Sequence, residues 1–245
     1  MKPLLILTAD NECAATVRGF FEREYFHRAL GCGPFRLGES AFDPEKDVLV
    51  HPGHDPGVWS NPQLVLFSER KAYDKALIIL DAAWSGVPRP DRLVADIEKL
   101  ARNKGKWERE RFEVILIQPE LEAWIWQRNI HVAEAFDFSG PDADLWEQLA
   151  LQSLALDKRT KKHYFVPADT ASGQPPAWAT TERKPNNPKG VVEALSAYCR
   201  SGPPSVIFNE ISSKVSVARC EDEAFRKLRD TLRRWFPPEP EAWEA

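Results

Sequence analysis

The sequence lacks paired cysteines, a strong net charge and any long apolar run. Its cysteines lie far apart and form no CxxC pair, which argues against a zinc ribbon or a disulfide framework and predicts reduced packing residues: Cys13, Cys32, Cys199 and Cys220. A net charge of −4 provides no overall attraction for the phosphates of nucleic acid, so any contact with nucleic acid must be local.

No apolar run approaches the roughly 18 residues that cross a membrane, and the first residues do not form the apolar region of a signal peptide. Several enzyme motifs are missing as well. The chain contains no GxxxxGKS or GxxxxGKT for a P-loop, no GxGxxG after a strand and no GxSxG. We therefore expect a cytoplasmic protein with no membrane contact, and neither a P-loop nucleotidase, a dinucleotide-binding protein nor a serine hydrolase.

What the sequence does contain is a set of short apolar runs separated by helical patterns. Its 245 residues, 43% of them hydrophobic, suffice for a large core. Continuous apolar runs at 4–7, 76–80 and 114–117 predict strands buried on both faces, with 76–80 central, and 48–50 predicts a shorter strand. Apolar spacing predicts helices at 14–26, 62–73, 90–103 and 120–128. The expected fold class is α/β, with a mainly parallel central sheet flanked by helices.

The second half of the chain has mostly helical patterns. Helices are predicted at 142–156, from Pro188 onward and at 222–236, around a polar, Pro-rich section at 157–188. We expect an α/β core at 1–130, a helical elaboration at 131–236 packed on that core, and a disordered tail at 237–245. The basic stretch 158–163 could contact phosphates or simply be solvated.

Acidic residues follow each of the three clear strands. Asp10 and Glu12 follow the first, Asp81 ends the second, and Glu120 and Glu122 follow the third. The carboxyl ends of parallel strands form one edge of a sheet, and open α/β sheets bind ligands there. Carboxylates gathered at such an edge repel one another unless they share a cation or a proton. This pattern predicts a divalent-metal site.

The same segments resemble a known family. The first strand with its acidic turn, the strand ending on Asp81, the Glu-Leu-Glu-Ala-Trp string at 120–124 and the Asn-Pro-Lys-Gly string at 187–190 together resemble a bacterial family of Toprim-like proteins associated with phage-defence gene clusters. The chain also resembles an accessory component of methylation-associated antiphage defence systems. The resemblance implies a Toprim-like sheet, Mg²⁺ or Mn²⁺ as cofactor, phosphodiester chemistry on nucleic acid, and other defence proteins as partners.

By this resemblance Glu12 matches the first Glu of Toprim domains and Asp81 the first Asp of their Asp-x-Asp motif. Ala83 stands where the second Asp is expected. The resemblance thus implies Glu12, Asp81 and Glu120 as metal ligands, and these three together with Glu122 as catalytic residues. Since Ala83 removes a ligand, the alternative is a catalytically inactive sensor or scaffold subunit of a defence complex.

Two lysines are candidates for substrate binding. Lys184 and Lys189 flank a Pro-Asn-Asn-Pro segment, and Lys189 near a helix start could contact a phosphate or pair with an acid of the site.

Simpler roles compete with the functional ones. Glu12 could serve only to stabilise a helix dipole, and Asp81 only to cap a turn. Because residues two apart lie on different faces of a helix, only one of Glu120 and Glu122 is expected to be functional.

The loop after residue 50 offers another possible ligand set. His51, His54 and Asp55 could bind a metal, but histidines are also common in Pro- and Gly-rich loops that bind none.

Overall fold

The fold is an α/β sandwich around one parallel sheet. The computed structural model describes residues 1–82, 84, 86–118, 120–125, 130–138, 188–199, 201–218, 220 and 222–238. In this part of the chain the strands are β1 (Lys2–Thr8), β2 (Arg36–Leu37), β3 (Ser40–Ala41), β4 (Val48–Val50), β5 (Tyr73–Asp81) and β6 (Phe112–Ile117).

The helices of the same residues follow in chain order. They are α1 (Asn11–Phe21), α2 (Phe26–Leu30), α3 (Pro44–Asp47), α4 (His54–Ser60), α5 (Gln63–Glu69), α6 (Pro90–Asn103), α7 (Glu122–Ile125), α8 (Ile130–Ala135), α9 (Pro188–Cys199), α10 (Pro204–Lys214) and α11 (Glu223–Trp235), with a 3₁₀ turn at Arg109–Arg111. None of the helices described is long and apolar enough to cross a bilayer.

The main sheet has the order β4-β1-β5-β6, and every neighbouring pair is parallel. β2 and β3 form a separate antiparallel hairpin. The predicted α/β class and parallel sheet are therefore confirmed, and β5 lies between two partners as expected. Its apolar run explains this position, because a central parallel strand is covered on both faces.

Alternate side chains of β1 enter two different cores, as the two-residue repeat of a strand requires. Leu4 and Ile6 belong to a cluster shared with α1, α10 and α11. Leu5 and Leu7 belong to a second cluster shared with α4, α5 and α6. Helices from both halves of the chain thus complete the layer on one face of the sheet.

Close helix packing places α10 against α1. A Cβ atom on Gly19 would lie 2.1 Å from the Ser212 hydroxyl oxygen and 2.4 Å from the Asn209 carbonyl oxygen, so only glycine permits this approach. Helix α10 was not predicted from the sequence.

Two helix predictions were wrong in extent. The helix expected at 14–26 ends at Phe21, and Phe26 begins α2, where its ring stacks on Phe20 with centroids 5.6 Å apart. The helix expected at 62–73 ends at Glu69, because Tyr73 pairs with Lys2 as the first residue of β5. Both differences arise from contacts distant in sequence. The helix predicted at 142–156, the section 157–187 and residues 239–245 lie outside the described residues.

Candidate functional site

The carboxyl ends of the four parallel strands meet at one edge of the sheet. Thr8 of β1 is in register with Val50 of β4 on one side and Ile79 of β5 on the other, and Asp81 of β5 is in register with Ile117 of β6. Segments that follow these strand ends therefore start close together. This edge is where the sequence predicts a site.

Asp81 interacts with two groups of charged residues. The first group comes from the segments after β1 and β4. Asp10 is the N-cap of α1, and its Oδ1 accepts a hydrogen bond from the Cys13 N–H at 2.8 Å. Asp55 lies in the first turn of α4, and its Oδ1 accepts from the Asp81 N–H at 3.2 Å. That bond joins the segment after β4 directly to the end of β5.

The electrostatics of the first group show how closely its acids interact. The pKa of Asp55 is raised to about 7. Burial is the largest cause, the charges of Asp81 and Asp10 add to it, and the hydrogen bond from the Asp81 N–H opposes it. The pKa of the buried Cys13 thiol is also raised, by burial first and then by the same three carboxylates. Near neutral pH the protonated and ionised forms of Asp55 are therefore populated to a similar extent.

The second group comes from the segment after β6 and from the start of α9. Glu122 is only 8% exposed, and its pKa is raised to about 7, mainly by burial and also by Glu120 and Asp81, while Lys189 lowers it. Burial likewise raises the pKa of the half-buried Glu120, against the effect of the Lys189 charge and of the Lys189 backbone N–H bonded to its carboxylate. Glu120 thus binds the first turn of α9.

Lys189 is the cation of this second group. Burial lowers its pKa, but the nearby acids Glu122, Glu120, Asp81 and Glu193 outweigh that effect, so the net change is upward. The side chain remains solvent-exposed and charged. Lys189 therefore interacts electrostatically with Glu120 and Glu122.

The charges of both Glu120 and Glu122 lie near Asp81, whereas the sequence predicts that these residues point to different faces of a helix. The helix predicted from 120 begins only at Glu122, so the rule about faces of a helix does not apply to Glu120. Both carboxylates interact with Lys189 and with Asp81. Trp124 holds this segment in place, since its ring is 2% exposed and its Nε1 donates to Asp222 at 3.0 Å.

The other predicted residues have different positions. Glu12 lies in the first turn of α1, where its backbone carbonyl accepts from the Thr16 hydroxyl. The acid after β1 whose charge acts on Asp55 and Cys13 is Asp10. Lys184, Ala83 and the basic stretch 158–163 lie outside the described residues.

Asp10 and Asp55 were not selected from the sequence as site residues. The resemblance points to Glu12, two residues after Asp10, as the metal ligand of this turn. The sequence suggests Asp55 only as part of a possible ligand set with His51 and His54. A usable signal existed, because the strand-end argument that selected Asp81 applies equally to the segment after β4. In the structure both ring nitrogens of His51 are hydrogen-bonded to backbone groups, which leaves neither for a metal.

The donors at this edge suit a hard divalent cation, since Mg²⁺ and Mn²⁺ prefer carboxylate oxygens. Within the described residues, however, no three His, Cys, Asp or Glu side chains converge closely enough to hold a metal ion. An ion here would be held by one or two carboxylates and several waters, which is common for Mg²⁺.

A groove of about 780 Å³ lies elsewhere, at the free side of β6 between α6 and α11. Glu113 lines it and is bound by Lys227 at 3.0 Å and Arg234 at 3.4 Å, and Lys227 also donates to the Val114 carbonyl. These bonds cover part of the exposed edge of β6. None of the five acids that interact at the carboxyl edge of the sheet lines this groove.

Comparison of the chain with protein-family models, curated proteins and solved structures gives no match.

Proposed function

We propose that the carboxylates at this edge form a divalent-cation site for phosphodiester chemistry on nucleic acid, in a component of a bacterial antiphage defence system. One observation supports the cation site. Acids from the segments after all four parallel strands interact electrostatically, and Asp81 takes part in each of these interactions. Burial and, to a smaller extent, repulsion between the carboxylates raise the pKa values of Asp55 and Glu122 to about 7, so a bound cation would stabilise their ionised forms. The defence role is supported by the resemblance of the sequence motifs to Toprim-like proteins associated with phage-defence gene clusters.

In this proposal one or two of the carboxylates of Asp81, Asp55 and Asp10 would hold the ion together with water, and Glu120 and Glu122 would add negative charge close to it. Mg²⁺ or Mn²⁺ would supply charge stabilisation for the oxygens of the phosphodiester. Lys189 adds a positive charge at the start of α9 that a phosphate group of the substrate would contact.

A second candidate is a binding module without catalysis, which would act as a sensor or scaffold among other defence proteins. Two observations favour it. Ala83 replaces an expected acid, and no three-ligand arrangement exists in the described part of the chain. The two candidates differ in whether the protein cleaves nucleic acid when the cation is bound.

The test measures Mn²⁺ affinity by titration calorimetry and cleavage of single- and double-stranded DNA and RNA. Asp81→Asn should weaken Mn²⁺ binding by about tenfold or more, the equivalent of about 1.4 kcal/mol. Asp10→Asn and Glu12→Gln form a matched pair, since each removes one charge from the same turn, and we expect only the former to weaken binding. Asn is also a good N-cap, so Asp10→Asn preserves α1.

Two results would contradict the cation site: a wild type that does not bind Mn²⁺, or affinities that Asp81→Asn and Asp10→Asn leave unchanged. Binding of Mn²⁺ without cleavage of any nucleic acid would favour the binding module.

A further inference from the structure

The short helix that carries Asp55 rests on the ring of His51. His51 follows β4 directly, is 2% exposed, and its backbone N–H donates to the Thr8 carbonyl at 2.9 Å, which continues the pairing of β4 with β1. The base of this side chain is therefore fixed to the sheet.

The ring is hydrogen-bonded to both ends of α4. Its Nδ1 lies 3.0 Å from the backbone nitrogen of Gly53, the N-cap, and its Nε2 lies 3.1 Å from the carbonyl oxygen of Asn61, the C-cap. Since a backbone N–H can only donate and a carbonyl can only accept, Nδ1 is the acceptor and Nε2 carries the proton. His51 is thus the neutral Nε2–H tautomer.

The middle of α4 also contacts the ring. A Cβ atom on Gly57 would lie 2.6 Å from Nδ1, so any larger residue would displace the imidazole. At the start of the helix, His54 adopts a φ of 52°, in the left-handed region that is unfavourable for a residue with a side chain. The backbone N–H of His54 donates to the His51 carbonyl at 3.2 Å.

We propose that His51 is a positioning residue, whose neutral imidazole holds α4 so that the Asp55 carboxylate stays on the N–H of Asp81. This inference rests on the proposed function for its consequence, a weaker cation site when the imidazole is lost. Its geometric part does not, because the bond between Asp55 and the Asp81 N–H exists without any cation.

The experiment compares His51→Leu with Val58→Ala. His51→Leu removes both hydrogen bonds of the ring. Val58 is a fully buried residue of α4, so Val58→Ala loosens the packing of the helix but leaves those bonds intact. Amide hydrogen exchange is followed by NMR in the cation-free protein, at Asp81 and at Ile78 inside β5 as an internal reference.

In His51→Leu the Asp81 amide should exchange about tenfold faster relative to Ile78, because the carboxylate that accepts its hydrogen bond is no longer held in place. Mn²⁺ affinity should fall by a similar factor. Val58→Ala should leave the ratio of the two exchange rates unchanged. His51→Gln, which retains a neutral donor and acceptor, should restore part of the protection.

Gly57→Ala provides a second route to the same result, because it displaces the ring without removing it. If either ring variant changes the Asp81 exchange no more than Val58→Ala does, His51 is a packing residue and the inference is overturned. A selective change at Asp81 in a protein that never binds Mn²⁺ would support the positioning role and refute the proposed cation site.

Discussion

Glu122→Gln should make the protein more stable above neutral pH and nearly unchanged below pH 5. Glu122 is 8% exposed, and its pKa is raised from 4.5 to about 7, mainly by burial. A carboxyl whose pKa is higher in the folded state favours folding below its unfolded pKa, and this contribution is lost as the pH rises through 7. At about 1.4 kcal/mol per pH unit, the ionised form costs about 3 kcal/mol. Gln has nearly the same shape and never ionises.

The measurement is urea unfolding of both proteins at pH 5 and pH 8.5, without divalent cations. Between these values the advantage of Glu122→Gln should grow by about 2 to 3 kcal/mol, because most of the ionisation cost arises there. Glu39→Gln, in the exposed turn between β2 and β3, serves as the control and should be neutral at both pH values. Equal pH dependence of the wild type and Glu122→Gln would refute the claim that Glu122 is ionised against the preference of its surroundings.

Two further predictions concern the cation and the opposite end of the sheet. Mn²⁺ affinity should rise between pH 6 and pH 8, because Asp55 and Glu122, whose pKa values are both raised to about 7, attract the cation only when they are deprotonated. Affinities that are equal at the two pH values in calorimetry would argue against a role of these carboxylates in cation binding. Asp47→Ala should lower the free energy of unfolding by about 3 kcal/mol, since Asp47 is fully buried and binds Lys2 and the Tyr73 hydroxyl. Urea unfolding checks this, and a loss below about 1 kcal/mol would contradict it.

Local sequence patterns were sufficient for much of the sheet. The apolar runs predicted β1, β5 and β6, and the bounds expected for α6, 90–103, agree with the structure, whereas β6 begins two residues before the expected run at 114–117. These elements are predictable because strands buried on both faces need continuous apolar residues, and a helix on one face needs apolar residues at 3.6-residue spacing. The hairpin of β2 and β3 and helix α10 carry weaker patterns. Helix α10 depends on Gly19 for its position, a contact distant in sequence.

Local features of the sequence are enough to predict that acids follow the strands of a parallel sheet, since strand ends and charges can be recognised without knowing the fold. It selected Asp81, Glu120 and Glu122, which the structure brings into electrostatic contact. Which other acids interact with these three depends on how distant segments pack. Asp10 interacts with Asp55 as the N-cap of α1, and Asp55 reaches Asp81 because β4 pairs beside β1 and His51 holds α4 against the strand ends. Which acids lie close together depends on where helices start and on the order of the strands. Both result from packing between distant segments, so the local sequence pattern does not predict them.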